Sequence, residues 1–184
     1  MRISNEGTYP DCLNITRTVE LGGLTKEQLI QKLQEYSILI NEYGKRLLTN
    51  EKFTTSDIKY RLHTVELTVG NLGFLEGATT AQIFKKASEL GLELCPLELG
   101  PYLRLKYLDQ SEGDSRTSIQ QHQAPTGSIT IATAILTEDD DFPKGFYLRR
   151  INGELWLRGY IADDLHVWDP YDHFIFCLKK GLNK

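Results

Sequence analysis

The stretch FYLRRINGELWLRGYI, residues 146–161, decides the fold because it has the pattern of two antiparallel strands joined by a tight turn. Asn152 and Gly153 both tolerate positive φ, and together they form the strongest short hairpin signal. A two-residue turn fixes the register, so that Arg149 faces Trp156. The face expected to point to the core carries Phe146, Leu148, Leu155 and Leu157, and the opposite face carries Tyr147, Arg149, Trp156, Arg158 and Tyr160.

A long amphipathic segment, residues 24–48, precedes the strands and predicts one continuous helix. Its apolar stripe has spacings of four and three and consists of Leu29, Leu33, Tyr36, Ile40, Tyr43 and Leu47. Thr25 and Gln28 have the form of a capping box at its start. This stripe favours packing against a sheet, and a coiled-coil seam is the alternative.

Three further segments have clear periodicity. Residues 63–74 include the alternating pattern of a half-buried strand, with Glu66 on the more polar side. Residues 77–96 predict a second helix that begins at a capping box and ends at Gly91. The alternation of YLRLKYL, residues 102–108, predicts another strand.

These elements predict an α+β fold: a mainly antiparallel sheet, two packed helices and a C-terminal β-meander. The polar stretch 109–127 is expected to be a mobile loop. We expect one domain over residues 1–184. The alternative is a helix-containing half, 1–108, and a meander half, 128–184.

Composition narrows the classes of function. The chain has 184 residues and a formal net charge of −4, so the strongly basic footprint of a duplex-binding protein is absent. No apolar run approaches the length of a membrane span, and the N-terminus lacks the pattern of a secretory signal. Three widely spaced cysteines favour a reducing compartment. We therefore expect a cytoplasmic protein without membrane association, and nothing in the sequence calls for a cofactor.

The segment DDLHVWDPYDH, residues 163–173, concentrates four aspartates and two histidines. A metal or acid/base site would use Asp164, His166 and Asp169. Turn formation explains the same residues, because Asp169 and Pro170 suit the first two positions of a type I turn. The sequence favours the turn, and a metal-assisted hydrolase remains an alternative.

The aromatic and basic face of the hairpin is the stronger binding candidate. Rings and guanidinium groups side by side can hold bases and phosphates or anchor a protein interface. The segment at 102–108 would extend this face through Tyr102 and Arg104 if it were a strand. The competing explanations are cross-strand cation–π pairs that only stabilise the sheet, and burial of the face under the first helix.

Other chemical signals are weak. Cys95 has no nearby histidine in sequence and is more typical of a buried thiol than of a nucleophile. The glycines near residue 73 lack the spacing of a dinucleotide or phosphate loop.

The segments GLELCP (91–96), GPYLRLKY (100–107), FYLRRINGELWL (146–157) and HVWDP (166–170) resemble a small group of uncharacterised bacterial proteins. The similarity runs from about Leu67 to Phe176. It implies a bacterial, intracellular origin and transfers no functional residue.

The leading hypothesis is a non-enzymatic binding or interaction module that uses the Tyr/Trp/Arg face of the hairpin. Its partner would be a protein or a small molecule, and a second copy of the chain is another option. Single-stranded nucleic-acid binding by the same face is the first alternative, although the net charge disfavours it.

Overall fold

A computed structural model describes residues 7–112 and 127–179 of the chain. Four helices are present in these residues: α1 Lys26–Glu35, α2 Glu42–Thr49, α3 Thr80–Glu89 and α4 Leu99–Lys106. A short 3₁₀ turn covers Gly70–Leu72. The strands are β1 Ile15–Leu21, β2 Leu39–Ile40, β3 Tyr60–Thr68, β4 Ala78–Thr79, β5 Leu92–Glu93, β6 Ile129–Ile131, β7 Gly145–Ile151, β8 Glu154–Tyr160, β9 Val167–Trp168 and β10 His173–Leu178. Most of the expected loop at 109–127 lies outside the described residues.

The main sheet has the strand order β1-β3-β10-β6-β7-β8-β2, and β5 pairs with the end of β10. Its pairings are antiparallel except for β10 with β6 and β2 with β8. Strands β4 and β9 form a small second sheet. The α+β class with a mainly antiparallel sheet is confirmed. Strand β10, which follows residues 109–127 in the chain, lies in the main sheet between β3, which precedes them, and β6, which follows them.

The hairpin forms as predicted. Asn152 and Gly153 have φ values of 50° and 80°, which give the turn its left-handed backbone. Arg149 lies opposite Trp156, and Tyr147 lies opposite Arg158. The predicted register is therefore confirmed, and with it the division of side chains between the two faces.

The prediction of one long helix over residues 24–48 is wrong. Helix α1 does begin at the Thr25–Gln28 capping box, but it ends at Glu35. Ser37 has a φ of 56°, which an α-helix cannot contain, and β2 then pairs with β8. Asn41 starts α2 by accepting a hydrogen bond from the Gly44 backbone N–H at 2.8 Å. Pairing with the sheet outweighs the local helical pattern here.

The prediction of a strand at 102–108 is also wrong, because most of this segment belongs to α4. Leu99, Tyr102 and Leu103 share the buried side of that helix, at spacings of three and four. Pro101 lies in the first turn, where its missing N–H costs no helical hydrogen bond. A short alternating apolar run fits both periods, so the pattern alone did not distinguish them.

Two apolar cores lie on opposite faces of the main sheet. Strand β10 illustrates the division: Ile175 and Cys177 enter one core, and Phe174 and Phe176 enter the other. Buried residues of α1, α2 and α4 complete the first core, and those of α3 complete the second. Within the described ranges, no helix is long and apolar enough to cross a membrane.

Candidate functional site

Five side chains of the β7–β8 hairpin form what we call the aromatic–arginine face: Tyr147, Arg149, Trp156, Arg158 and Tyr160. They lie on the side of the sheet that also carries the second core. All five are half-buried. Partial burial follows from the cross-strand neighbours of these side chains, because Tyr147 and Arg149 lie opposite Arg158 and Trp156.

Arg158 lies between two rings of this face. Its guanidinium carbon is 4.8 Å from the ring centroid of Trp156 and 5.9 Å from that of Tyr147. Its Nε donates a 2.7 Å hydrogen bond to the hydroxyl of Tyr147. Among the residues that the structure describes, the stacked guanidinium has no acidic partner, so its remaining donors can take an external acceptor.

Arg149 is the least satisfied cation of the face. Its Nε is buried and has no hydrogen-bond partner among the residues that the structure describes. On this side of the hairpin the two strands carry Arg149 and Arg158 and a single acidic residue, Glu154 at the hairpin end. A buried donor without an acceptor is costly.

Aromatic contacts continue from the face towards β9. The rings of Tyr147 and Tyr160 are 6.5 Å apart, and Tyr160 meets Trp168 edge to face at 5.6 Å. Trp168 in turn contacts the ring of His166 at 4.8 Å and donates from Nε1 to the Thr80 hydroxyl at 2.8 Å. Burial raises the pKa of Tyr160, so its hydroxyl remains a neutral donor at neutral pH.

Tyr102 and Arg104 do not extend this face, contrary to the sequence prediction. They lie on α4, and their side chains are buried, Arg104 completely. Helix α4 packs in the first core, on the other face of the sheet. The error follows from the mistaken strand at 102–108.

Arg104 instead connects α4 to the chain segment that follows it and to β8 through hydrogen bonds. Its Nη1 donates to Gln110 Oε1 at 2.6 Å and to the Trp156 carbonyl at 3.3 Å, and its Nη2 donates to the Tyr107 carbonyl. Gln110 then donates to the Leu148 carbonyl at 3.1 Å. Desolvation lowers the pKa of Arg104 to about 10, which leaves it charged at neutral pH.

The residues proposed for a metal site take different positions. Asp164 is exposed, and the ring of His166 packs on Trp168. Asp169 Oδ1 accepts from the Tyr171 N–H at 2.9 Å, and its carbonyl accepts from the Asp172 N–H at 3.0 Å, which is the predicted turn. In residues 7–112 and 127–179, no group of three or more His, Cys, Asp or Glu side chains is placed to hold a metal ion.

Sequence reasoning missed a three-residue charge cluster across β1, β3 and β10. Glu66 is buried, and it accepts from Arg17 Nη1 at 2.7 Å and from His173 Nδ1 at 3.0 Å. Burial acts to raise the pKa of Glu66, but the bonds from His173 and Arg17 outweigh it, so the pKa lies below its ordinary value. The alternating pattern placed Glu66 on the polar side of β3. Its two partners could not be predicted, because Arg17 is on β1 and His173 is on β10.

Cys95 is a core residue rather than an exposed thiol. It is 4% exposed, and burial raises its pKa well above the ordinary value, with the thiol of Cys177 beside it adding to the effect. A thiol in this environment stays protonated at neutral pH, which is unfavourable for a nucleophile.

Comparison with protein-family models, with curated proteins and with solved structures finds no match to the chain.

Proposed function

We propose that this protein is a non-enzymatic binding module whose aromatic–arginine face binds an acidic segment of a partner protein. The observation that carries the proposal is the half-buried Arg158–Trp156 stack, beside which Arg149 adds a second guanidinium group whose buried Nε has no partner among the described residues. Aromatic rings and arginines are the usual anchors of protein interfaces.

Charge supports an acidic partner. The chain as a whole carries a net charge of −4, whereas the side of the hairpin that forms the face carries two arginines, Arg149 and Arg158, and one glutamate, Glu154. A short acidic segment can pair with this local positive charge, because all of its charges lie within the screening distance of the arginines. Carboxylates also match the fork of an arginine, which donates in a planar, bidentate arrangement.

Single-stranded nucleic acid is the second candidate, favoured by the alternation of rings and guanidinium along the stack of Trp156, Arg158 and Tyr147. Bases stack on such rings, and phosphates pair with the arginines. The overall negative charge acts against a long polyanion, so we place this candidate second.

The test is fluorescence anisotropy with labelled probes: a short peptide of alternating glutamate and tyrosine, its lysine–tyrosine counterpart, and a short oligothymidylate. We expect the glutamate peptide to bind, and Arg149→Gln and Trp156→Leu each to weaken it about tenfold, or 1.4 kcal/mol. Arg61→Gln is the matched control, because Arg61 is an exposed arginine on β3, away from the face.

Binding of oligothymidylate with a steep salt dependence, lost in Trp156→Leu, would select the nucleic-acid candidate. If neither anionic probe binds, or if Arg61→Gln weakens binding as much as Arg149→Gln, the proposal is wrong.

A further inference from the structure

The outer side of the small β4–β9 sheet exposes a group of apolar side chains. Val167 precedes the buried Trp168 in β9, and because successive side chains of a strand point to opposite faces, Val167 points away from the core and into solvent. Leu165, two residues earlier, is 84% exposed, and Tyr171, just after the strand, is 81% exposed. Single exposed apolar residues are ordinary, but several within one short segment mark an interaction site.

The segment before β4 adds to this surface. Thr79 pairs with Val167, and Ala78 pairs with Trp168. A Cβ atom on Gly77 would lie 2.4 Å from the carbonyl oxygen of Trp168 and 3.2 Å from Cγ1 of Val167, so only glycine permits this approach. Leu75, two residues before Gly77, is 80% exposed.

Four acidic residues accompany these apolar side chains: Glu76, Asp163, Asp164 and Asp169. None of them forms a salt bridge within the described part of the chain. Residues 74–79 and 161–171 contain no lysine or arginine. The negative charge of this surface is therefore uncompensated by its own segments.

Two of these carboxylates are held in place by the backbone. Asp163 Oδ1 accepts from the Leu165 N–H at 3.0 Å, and Asp169 Oδ1 accepts from the Tyr171 N–H at 2.9 Å. Each hydrogen bond holds a carboxylate next to an exposed apolar residue. A partner that pairs with such a charge also reaches the neighbouring apolar side chain.

We propose that this acidic apolar patch, composed of the exposed Leu75, Leu165, Val167 and Tyr171 and the four carboxylates beside them, is a docking site for a basic, apolar segment of a partner protein. Burial of the exposed leucines supplies the affinity, and the four carboxylates select lysine or arginine over acidic side chains. The patch is opposite in charge to the aromatic–arginine face and forms a second, independent interface.

The experiment uses the full chain and a labelled short peptide of alternating lysine and leucine, with a glutamate–leucine peptide as its counterpart. We expect the lysine peptide to bind, Leu165→Ser to weaken it about tenfold and Asp164→Asn about threefold. Ile58→Ser is the matched control, because Ile58 is 77% exposed in the loop before β3. Arg149→Gln leaves this binding unchanged, which separates it from the function proposed above.

Equal binding of the glutamate–leucine peptide would overturn the proposal, as would an equal loss in Ile58→Ser or no effect of either patch variant. Native mass at the assay concentration gives an independent result. A dimer that Leu165→Ser dissociates would show that a second copy of the chain occupies the patch, and the proposed partner would be wrong.

Discussion

The guanidinium carbon of Arg158 lies 4.8 Å from the ring centroid of Trp156. In the hairpin register, Arg158 lies directly opposite Tyr147. The contact with Trp156 fixes the ring and the cation in one arrangement before any ligand arrives. Preorganisation of this kind lowers the entropic cost of binding, because fewer side-chain rotamers remain to be restricted.

The stack should have a small but measurable effect on stability. We expect Arg158→Ala to lower the free energy of unfolding by about 1 kcal/mol, since a half-buried cation–π pair and one hydrogen bond are lost. Urea denaturation followed by far-ultraviolet circular dichroism measures this. Arg61→Ala, on an exposed position of β3, should change stability by much less, and an equal loss in both variants would contradict the assignment.

Arg104 should be among the most sensitive positions of the chain. Arg104→Met keeps much of the volume but leaves the Gln110 oxygen and the carbonyls of Tyr107 and Trp156 without their donor. We expect a loss of about 3 kcal/mol in urea denaturation. A double-mutant cycle with Gln110→Ala should show strong coupling, and additive losses would mean that the 2.6 Å bond contributes little.

The lowered pKa of Glu66 should make the free energy of unfolding depend on pH. Because its pKa is lowered in the folded state, its contribution is complete above the ordinary value of 4.5 and is lost as the pH falls through the folded value. Glu66→Gln should therefore cost about 2 kcal/mol at pH 7, and the difference from the native chain should shrink in acid. Unfolding free energies across this range test it. A difference that stays constant down to the acid limit would contradict the role of the carboxylate charge.

Gly159 permits the close approach of α2 to β8. A Cβ atom there would lie 2.6 Å from the carbonyl carbon of Tyr43 and 2.8 Å from the Gly44 nitrogen, both of them backbone atoms. We expect Gly159→Ala to lower the melting temperature strongly, with a loss of about 3 kcal/mol or more. Gly70→Ala is the control, because its nearest neighbour would be at 3.3 Å. Similar losses at the two glycines would show that the backbone contact is not the cause.

The three cysteines should differ in reactivity. Cys12 is partly exposed, whereas Cys95 and Cys177 are buried. Iodoacetamide at neutral pH should label Cys12 first, and the other two only when the protein unfolds, because burial raises the pKa of Cys95 and blocks access to it. Peptide mapping by mass spectrometry measures the order. Labelling of Cys95 at the rate of Cys12 would contradict the buried assignment.

Local signals predicted several parts of the structure correctly. The Asn152-Gly153 turn determined the hairpin and its register, because positive φ at two successive positions leaves few alternatives. The capping boxes at Thr25 and Thr79 determined where α1 and α3 begin, since each satisfies backbone groups within four residues. The membership of the aromatic–arginine face followed from the register alone.

Tertiary structure decided the rest. The sequence could not place Ser37 at a positive φ, because glycine is the usual residue at the left-handed position that ends α1, and the strand that follows forms only by pairing with β8, more than a hundred residues away in the chain. It could not distinguish α4 from a strand, since the spacing of Leu103 and Leu105 fits a strand, the spacing of Leu99, Tyr102 and Leu103 fits a helix, and only the core packing chooses between them. The partners of Glu66 were equally hidden, because Arg17 and His173 reach it only when β1, β3 and β10 are adjacent. Sequence by itself thus determined the features that depend on neighbouring residues, and tertiary structure decided those that depend on contacts between distant segments.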